Sequence, residues 1–227
     1  MKNSAQEIAT EFNSWLNVYT EKMVNIVPFY FQLMEDLRAL LPDEFKPQQV
    51  VDLGAGNGNL SARLIDWFPQ AELTLIDASK EMLTEACSRL PKAAISTRVQ
   101  MIQDIEFPDE QIDLFAASFS MHHLPQEDKK LVFDKIHHAL RPGGIFLYSD
   151  LMVDKKGCDH NQLLAYWKDF VLQNANEDEW QTLMTHYAHY DYPAREVDLV
   201  KWLQNAGFSS VQTVRHDRHW VALAASR

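Results

Sequence analysis

Gly54-Ala55-Gly56-Asn57-Gly58 stands directly after a short apolar run, VVDL (50–53), and directly before a helical stretch, NLSARLIDWF (59–68). Glycines at such a junction let the backbone come close to a ligand, and the start of a helix offers N–H groups that have no partner within the helix. The spacing is GxGxG, one residue short of the dinucleotide pattern GxGxxG, and a purely structural tight turn has the same signature. Asp77 follows Gly54 by 23 positions and ends the next apolar run, LTLID (73–77). A carboxylate at the C-terminal end of a parallel strand, about 20 residues past a glycine turn, can accept hydrogen bonds from both hydroxyls of a ribose. The alternative is a cap on the following helix, a role for which Ser79 is better placed. Asp104 ends a further strand-like run; an acceptor there suits an adenine amino group, and Asp is also a common turn residue.

A second set of residues could move protons. His122 and His123 lie just past IDLFAAS (112–118), and Asp150 ends IFLYSD (145–150). Both positions fall on the edge of a parallel sheet where ligands bind. Histidine titrates near 6.5 when unperturbed, so either could take a proton from an alcohol, phenol or amine; packing beneath a ligand is the other reading. Asp150 could orient an acceptor or serve a local capping role. Four histidine pairs invite a metal reading: His122/His123, His137/His138, His186/His189 and His216/His219. His186 and His189 share a helix face with Asp191 nearby, but no HExxH context and no cysteine set of zinc spacing accompanies them. The sequence therefore predicts no metal centre.

The elements that must position these groups follow from periodicity. Residues 5–41 read as helix, with one stripe through Ile8, Phe12, Trp15, Leu16, Tyr19 and Met23, an interruption at Pro28, and a second stripe ending at Pro42. Between 50 and 150 short apolar runs alternate with helices, KEMLTEACSRL (80–90) and DKKLVFDKIHHAL (128–140) among them, and TRVQMIQ (97–103) is strand-like. Alternation of this kind means βαβ units and a Rossmann-like, doubly wound α/β sheet. After Asp150 come two aromatic-rich helices, around 161–173 and 177–190, then a helix (197–208) stopped by Gly207 and two runs (210–214, 219–225) close enough to pair as an antiparallel hairpin. Residues 1–227 are thus expected to form one unit: a helical cap (1–45), a ligand-binding α/β core (46–150), a helical lid (151–195), and a closing helix and hairpin (196–227). Trp167, Phe170, Trp180, Tyr187 and Tyr190 are the candidate lid residues against substrate, although several also fit a plain packing face.

Composition narrows the partners. The 227 residues carry 21 Lys+Arg against 32 Asp+Glu, a net charge of −11, which argues against nucleic acid and for a small molecule. Two cysteines make no disulfide framework, and the first residues lack the apolar segment of a secretory signal. No stretch reaches the length of a membrane span, so a reducing cytoplasm is the expected setting, as monomer or homodimer.

Taken in order, VVDLGAGNGNLS, LTLIDAS, QMIQDI, IDLFAASFSMHHLP and ALRPGGIFLYSD resemble the successive segments of class I S-adenosylmethionine (SAM)-dependent methyltransferases, from about residue 10 to the C-terminus. The resemblance implies the seven-stranded fold of that family, SAM as methyl donor and S-adenosylhomocysteine as product. By it, Gly54, Ala55, Gly56 and Gly58 pass beside the methionine part, and Asp77 holds the ribose with Ala78, Ser79 and Met82 in the same stretch. Asp104 and Ile105 frame the adenine; Ser118 and His123 close the pocket near the sulfonium. Phe12-Asn13 through Tyr19 is similar to the family's F-D-x-x-A-x-x-Y-D helix, with Asn13 and Thr20 at the Asp positions and Leu16 for Ala, and Tyr19 would cover the methionine end. The insertion, the helix ending AGF and the hairpin are also similar to the carboxy-SAM synthase family, which expects an arginine poised for a carboxylate; Arg195 lies in that region. A non-catalytic SAM-binding protein is a third reading. A nicotinamide oxidoreductase fits the core less well, given the GxGxG spacing and the lack of a Tyr-x-x-x-Lys pair.

Overall fold

The computed structural model describes residues 15–91 and 94–227, so the expectations for Ile8, Phe12 and Asn13 lie outside the described residues. Apolar runs bounded by glycine or acidic turns become strands β1 (Gln49–Leu53), β2 (Glu72–Asp77), β3 (Ile95–Val99), β4 (Ile112–Ser118), β5 (Leu140–Leu151), β6 (Ser210–His216) and β7 (Trp220–Ser226). Stretches with apolar residues three or four apart become helices α1 (Tyr19–Ile26), α2 (Tyr30–Ala39), α3 (Asn59–Trp67), α4 (Lys80–Arg89), α5 (Gln126–Ala139), α6 (His160–Asn174), α7 (Glu177–Tyr190) and α8 (Glu196–Asn205).

The strands form one sheet in the order β3-β2-β1-β4-β5-β7-β6. β1 to β5 pair in parallel, and β7 runs antiparallel to both β5 and β6. Strand order reverses between β1 and β4, the switch point outside whose carboxyl ends an open α/β sheet binds ligands. Leu114, Leu147 and Ala222 on one face pack under α1, α2, α3, α6 and α7. Phe115, Phe146 and Val221 on the other pack under α5 and α8. Burial on both faces explains why the central strands read as nearly continuous apolar runs.

Local chemistry sets the boundaries. Ser79 caps α4 by accepting a hydrogen bond from the Met82 amide at 3.0 Å. The chain breaks between α1 and α2 around Pro28, where Phe29 takes a φ of 59°. Two strand expectations shift. β3 ends at Val99 rather than running to 103, and Asp104 closes a 3-10 turn, Ile102–Asp104, instead of ending a strand. β5 starts at Leu140, because the RPGG segment pairs through a register irregularity between Ile112 and Leu114 rather than forming a separate turn. No helix among the described residues is long and apolar enough to cross a membrane.

Candidate active site

The glycines after β1 serve different needs. A Cβ on Gly54 (φ 73°) would stand 2.3 Å from the Ser120 Cβ, and the Ser120 hydroxyl donates to the Leu53 carbonyl at 2.7 Å. Gly54 is therefore required by the packing of the β4 loop onto β1. Gly56 (φ 53°) faces open space, its nearest neighbour being the Tyr19 hydroxyl at 3.9 Å. The loop amides that were expected to meet a ligand are engaged internally. Gly54 and Ala55 donate to the Ile76 carbonyl at 2.8 and 3.0 Å, Gly58 to Ala55 at 2.9 Å, and Gly56 to Asp77 Oδ2 at 2.9 Å. The carbonyls of Ala55, Asn57 and Gly58 are engaged as well, by the Gly58 amide, Arg89 and the Ala62 amide, so what the loop offers at Gly56 is a surface free of side chains.

Asp77 ends β2 half-buried, with Oδ1 accepting the Ser79 amide at 2.8 Å. Burial raises its pKa from the ordinary carboxylate value, against the opposing hydrogen bonds from the backbone of Ser79, Gly56 and Ala78. A carboxylate has about four acceptor positions, so Asp77 can organise the loop and still accept from a diol. Behind it, fully buried Asp52 takes a 2.6 Å hydrogen bond from Ser61 Oγ, and burial pushes its pKa to about 7. Helix α1 closes over the loop: Thr20 Oγ1 donates to Asn59 Oδ1 at 3.0 Å and accepts from Asn57 Nδ2 at 2.9 Å. Around this cleft Ile105 and Met82 are buried, Ala78 and Asp104 are exposed, and Ser118 Oγ meets Ser149 Oγ at 2.9 Å.

Beyond Tyr19 lies an aromatic pocket. Its apolar wall includes Tyr19, Met23, Phe119, Trp167, Tyr187 and Trp220, and its polar end holds His122, Asp150, His186 and Asp191. His122 Nδ1 is 2.6 Å from Asp150 Oδ1, and Asp150 Oδ2 accepts the His122 amide and the Tyr148 hydroxyl, both at 3.1 Å. Asp191 Oδ1 lies 3.1 Å from His123 Nδ1, 3.4 Å from His186 Nε2 and 3.7 Å from His122 Nε2. Burial works against charge on His122, but Asp150 and Asp191 outweigh it and its pKa rises. His123 is pushed down to about 4 by burial and by neighbouring His122. Burial also opposes ionisation of Asp191, yet the surrounding histidines hold its pKa well below the usual range.

Two lysines hold these distant segments together. Lys129, fully buried, donates to the carbonyls of Leu124 and, at 2.6 Å, Tyr192, while the Tyr192 amide donates to the His122 carbonyl at 2.6 Å. Lys155 donates to the carbonyls of Tyr187 and, at 2.8 Å, Asp191. The loop after β4 is thereby fixed against the chain leaving α7.

A family model described as "Methyltransferase domain" matches residues 50–144, the stretch from β1 into β5. A carboxy-S-adenosyl-L-methionine synthase from Campylobacter lari is 26% identical over 208 residues, covering 87% of this chain and 86% of that protein. Among solved structures, a SAM-dependent methyltransferase from Mesorhizobium loti superposes with a TM-score of 0.62 at 18% identity, covering 85% of this chain and 96% of that one. Human N-acetylserotonin methyltransferase in complex with SAM gives 0.64 at 17% identity, covering 96% of this chain and 56% of that one.

The chain is similar to the class I SAM-dependent methyltransferases, over residues 50–144 by sequence and over most of its length by fold. Its seven-stranded sheet, parallel but for the C-terminal strands, has the fold of that family. The residues of the cleft fit the family's cofactor. Gly56 leaves a cradle that a Cβ would fill, and Asp77, at the end of β2 beside it, keeps acceptor positions that a diol could use.

Of the five aromatics expected against substrate, Trp167 and Tyr187 line the pocket. Trp180 stands behind Trp167 at 6.2 Å between ring centroids, Phe170 packs against the core, and Tyr190 lies 5.3 Å from the His186 ring. Arg195 sits on the surface, its guanidinium paired with Asp198 at 2.6 and 3.0 Å. Sequence reasoning brought out His122, His123 and Asp150 but did not join them to His186 and Asp191, which arrive from the far side of the lid. Lys129 was also missed, although 129, 132, 133 and 136 form one apolar-face stripe in which it is the odd member.

Proposed function

We propose that this protein transfers the methyl group of SAM to a small-molecule acceptor held in the aromatic pocket. The observation that carries the reading is the place of Tyr19: its hydroxyl faces Gly56 of the glycine loop, and its ring forms part of the pocket wall. Donor cleft and acceptor pocket thus meet across one side chain. When bound, SAM supplies a methyl group on a positively charged sulfur; the acceptor's lone pair forms the new bond to carbon as the C–S pair returns to sulfur, leaving S-adenosylhomocysteine.

In this reading the chain aligns, dries and neutralises. The open surface at Gly56 and the Asp77 carboxylate orient the donor, with Ala78, Ser79, Met82, Ile105, Ser118 and the more exposed Asp104 completing its surroundings. Trp167, Tyr187 and Trp220 exclude water, and aromatic faces near a sulfonium add cation–π attraction. Alignment of this kind can supply on the order of 7–11 kcal/mol in the best intramolecular cases. The polar end, built from His122, Asp150, His186 and Asp191 with His123 against Asp191, orients the acceptor's heteroatom and receives its proton where it has one.

The Campylobacter relative supports a second reading, modification of SAM itself to a carboxy derivative. Against it stands Arg195, which is turned to solvent and paired with Asp198, and no arginine is among the described residues lining the pocket. Incubation with SAM and a panel of small alcohols, phenols, amines and carboxylates, followed by mass spectrometry, tests both. S-adenosylhomocysteine formed together with a product 14 mass units heavier than one acceptor is the expected result. A carboxylated SAM retained by the protein, with no methylated acceptor, would replace the first reading by the second.

A further inference from the structure

Asp191 Oδ1 has three imidazole nitrogens around it, at 3.1, 3.4 and 3.7 Å. Ligand bonds of about 2.0–2.1 Å in a tetrahedral site put neighbouring donor atoms about 3.3–3.4 Å apart, and the three distances bracket that value. One atom each from His122, His123 and Asp191 lies within 4.8 Å of the others, so the trio would contract by a modest side-chain rotation on taking up an ion. The His122 ring is already set for ligation. Its Nδ1 lies against Asp150 Oδ1 at 2.6 Å, and a carboxylate only accepts, so Nδ1 carries a proton and Nε2, on the side of Asp191, is the nitrogen left to bind an ion. A buried carboxylate behind the histidine is the outer-shell arrangement that orients metal-bound imidazole. The segments are held in register by Lys129 and by the Tyr192–His122 backbone bond rather than by the cluster itself.

We propose that His122 Nε2, His123 Nδ1 and Asp191 Oδ1 bind one divalent first-row transition ion at the polar end of the pocket, with His186 against Asp191 beside it and the fourth position open. Nitrogen and carboxylate donors without sulfur suit zinc, iron(II) or manganese(II). The binding claim stands by itself; only the ion's role rests on the acceptor reading above. In that role the ion takes an oxygen or nitrogen of the acceptor as its open ligand, and the acceptor's proton is lost to solvent on coordination. His122 and His123 then act as ligands rather than as proton acceptors.

The test is calorimetric titration of untagged, chelator-stripped protein with zinc chloride alone, with SAM titrated in parallel. One tight equivalent is expected, weakened at least about tenfold in both Asp191→Asn and His123→Gln, and about tenfold to a hundredfold in Asp150→Asn. His138→Gln, exposed on α5 and away from the cluster, should bind as the parent does. Thermal unfolding of each variant shows whether it is folded, and either ligand variant suffices if the other is not. Absence of a stoichiometric site in the parent overturns the proposal, as does unchanged affinity in a folded ligand variant. Zinc binding without SAM binding would instead overturn the methyl-donor reading and leave this site standing.

Discussion

The Tyr19 hydroxyl stands 3.9 Å from the point where a Cβ would lie on Gly56, and among the described residues beyond its chain neighbours none comes nearer to that point. Gly54, two residues earlier, has no such room, because the Ser120 Cβ would be 2.3 Å away. The two glycines should therefore fail differently. Gly56→Ala incurs the left-handed backbone cost of about 1–2 kcal/mol but meets no wall, and its methyl occupies the cradle. Gly54→Ala carries the same backbone cost and must also displace Ser120 and its bond to Leu53. Thermal unfolding should show the larger loss for Gly54→Ala. Calorimetry should show SAM affinity falling about tenfold in folded Gly56→Ala, roughly 1.4 kcal/mol. SAM binding unchanged by the Gly56 methyl would mean that the cradle does not hold the donor.

Asp52 makes stability depend on pH. Its folded pKa of about 7 lies above the ordinary value of 3.8, because burial disfavours the charged form. Between these values the folded state holds a proton that the unfolded chain releases, so this group's contribution to stability is full at low pH and falls as pH rises. The slope approaches about 1.4 kcal/mol per pH unit and ends above pH ~7. Asp52→Asn, which keeps an acceptor for Ser61, should flatten the denaturation midpoint across this window. An identical pH profile in parent and variant would contradict the burial argument.

Trp167 joins lid, cap and pocket. Its Nε1 donates to the Ile26 carbonyl at 2.6 Å, and its ring meets Trp180, Tyr187 and Trp220 edge-on. Trp167→Ala should destabilise the fold by about 3–5 kcal/mol. The informative variant is Trp167→Phe, which keeps a ring but loses the hydrogen bond. It should raise the acceptor KM severalfold while leaving SAM affinity within about twofold. Loss of SAM binding with an unchanged acceptor KM would place the donor in this pocket instead.

Arg195 provides a control. An exposed ion pair such as that with Asp198 contributes about 0–1 kcal/mol, so Arg195→Ala should leave turnover and Tm nearly unchanged. A large fall in turnover would bring this arginine into the chemistry and favour the carboxy-SAM reading.

The α/β core was legible because local and global signals agree there. VVDL stops at glycines, Ser79 is an N-cap in sequence and in structure, and IDLFAAS coincides with β4. β3 was misjudged because it is an edge strand whose residues are mostly exposed, which removes the apolar pattern that marks strand ends. The amides of the glycine loop were assigned to a ligand because a sequence does not show that the Ile76 carbonyl and Asp77 already accept them. The histidine–aspartate cluster was hidden for a different reason. His122 and Asp191 belong to segments that meet only after α6 and α7 have folded back, and the contact is made by Lys129 and backbone groups rather than by any local motif.

The account depends most on the donor site, and SAM titration of the parent, Asp77→Asn and Asp77→Ala measures it directly. Asp77 bonds to the Gly56 and Ser79 amides, so Asp77→Asn tests loss of charge with an acceptor retained, and Asp77→Ala removes both. The prediction is saturable SAM binding by the parent, weakened at least about tenfold in Asp77→Ala and less in Asp77→Asn, as expected when charge-assisted hydrogen bonds are lost. A folded Asp77→Ala that binds SAM as tightly as the parent, or a parent that ignores SAM and takes up a pyridine dinucleotide, would contradict it.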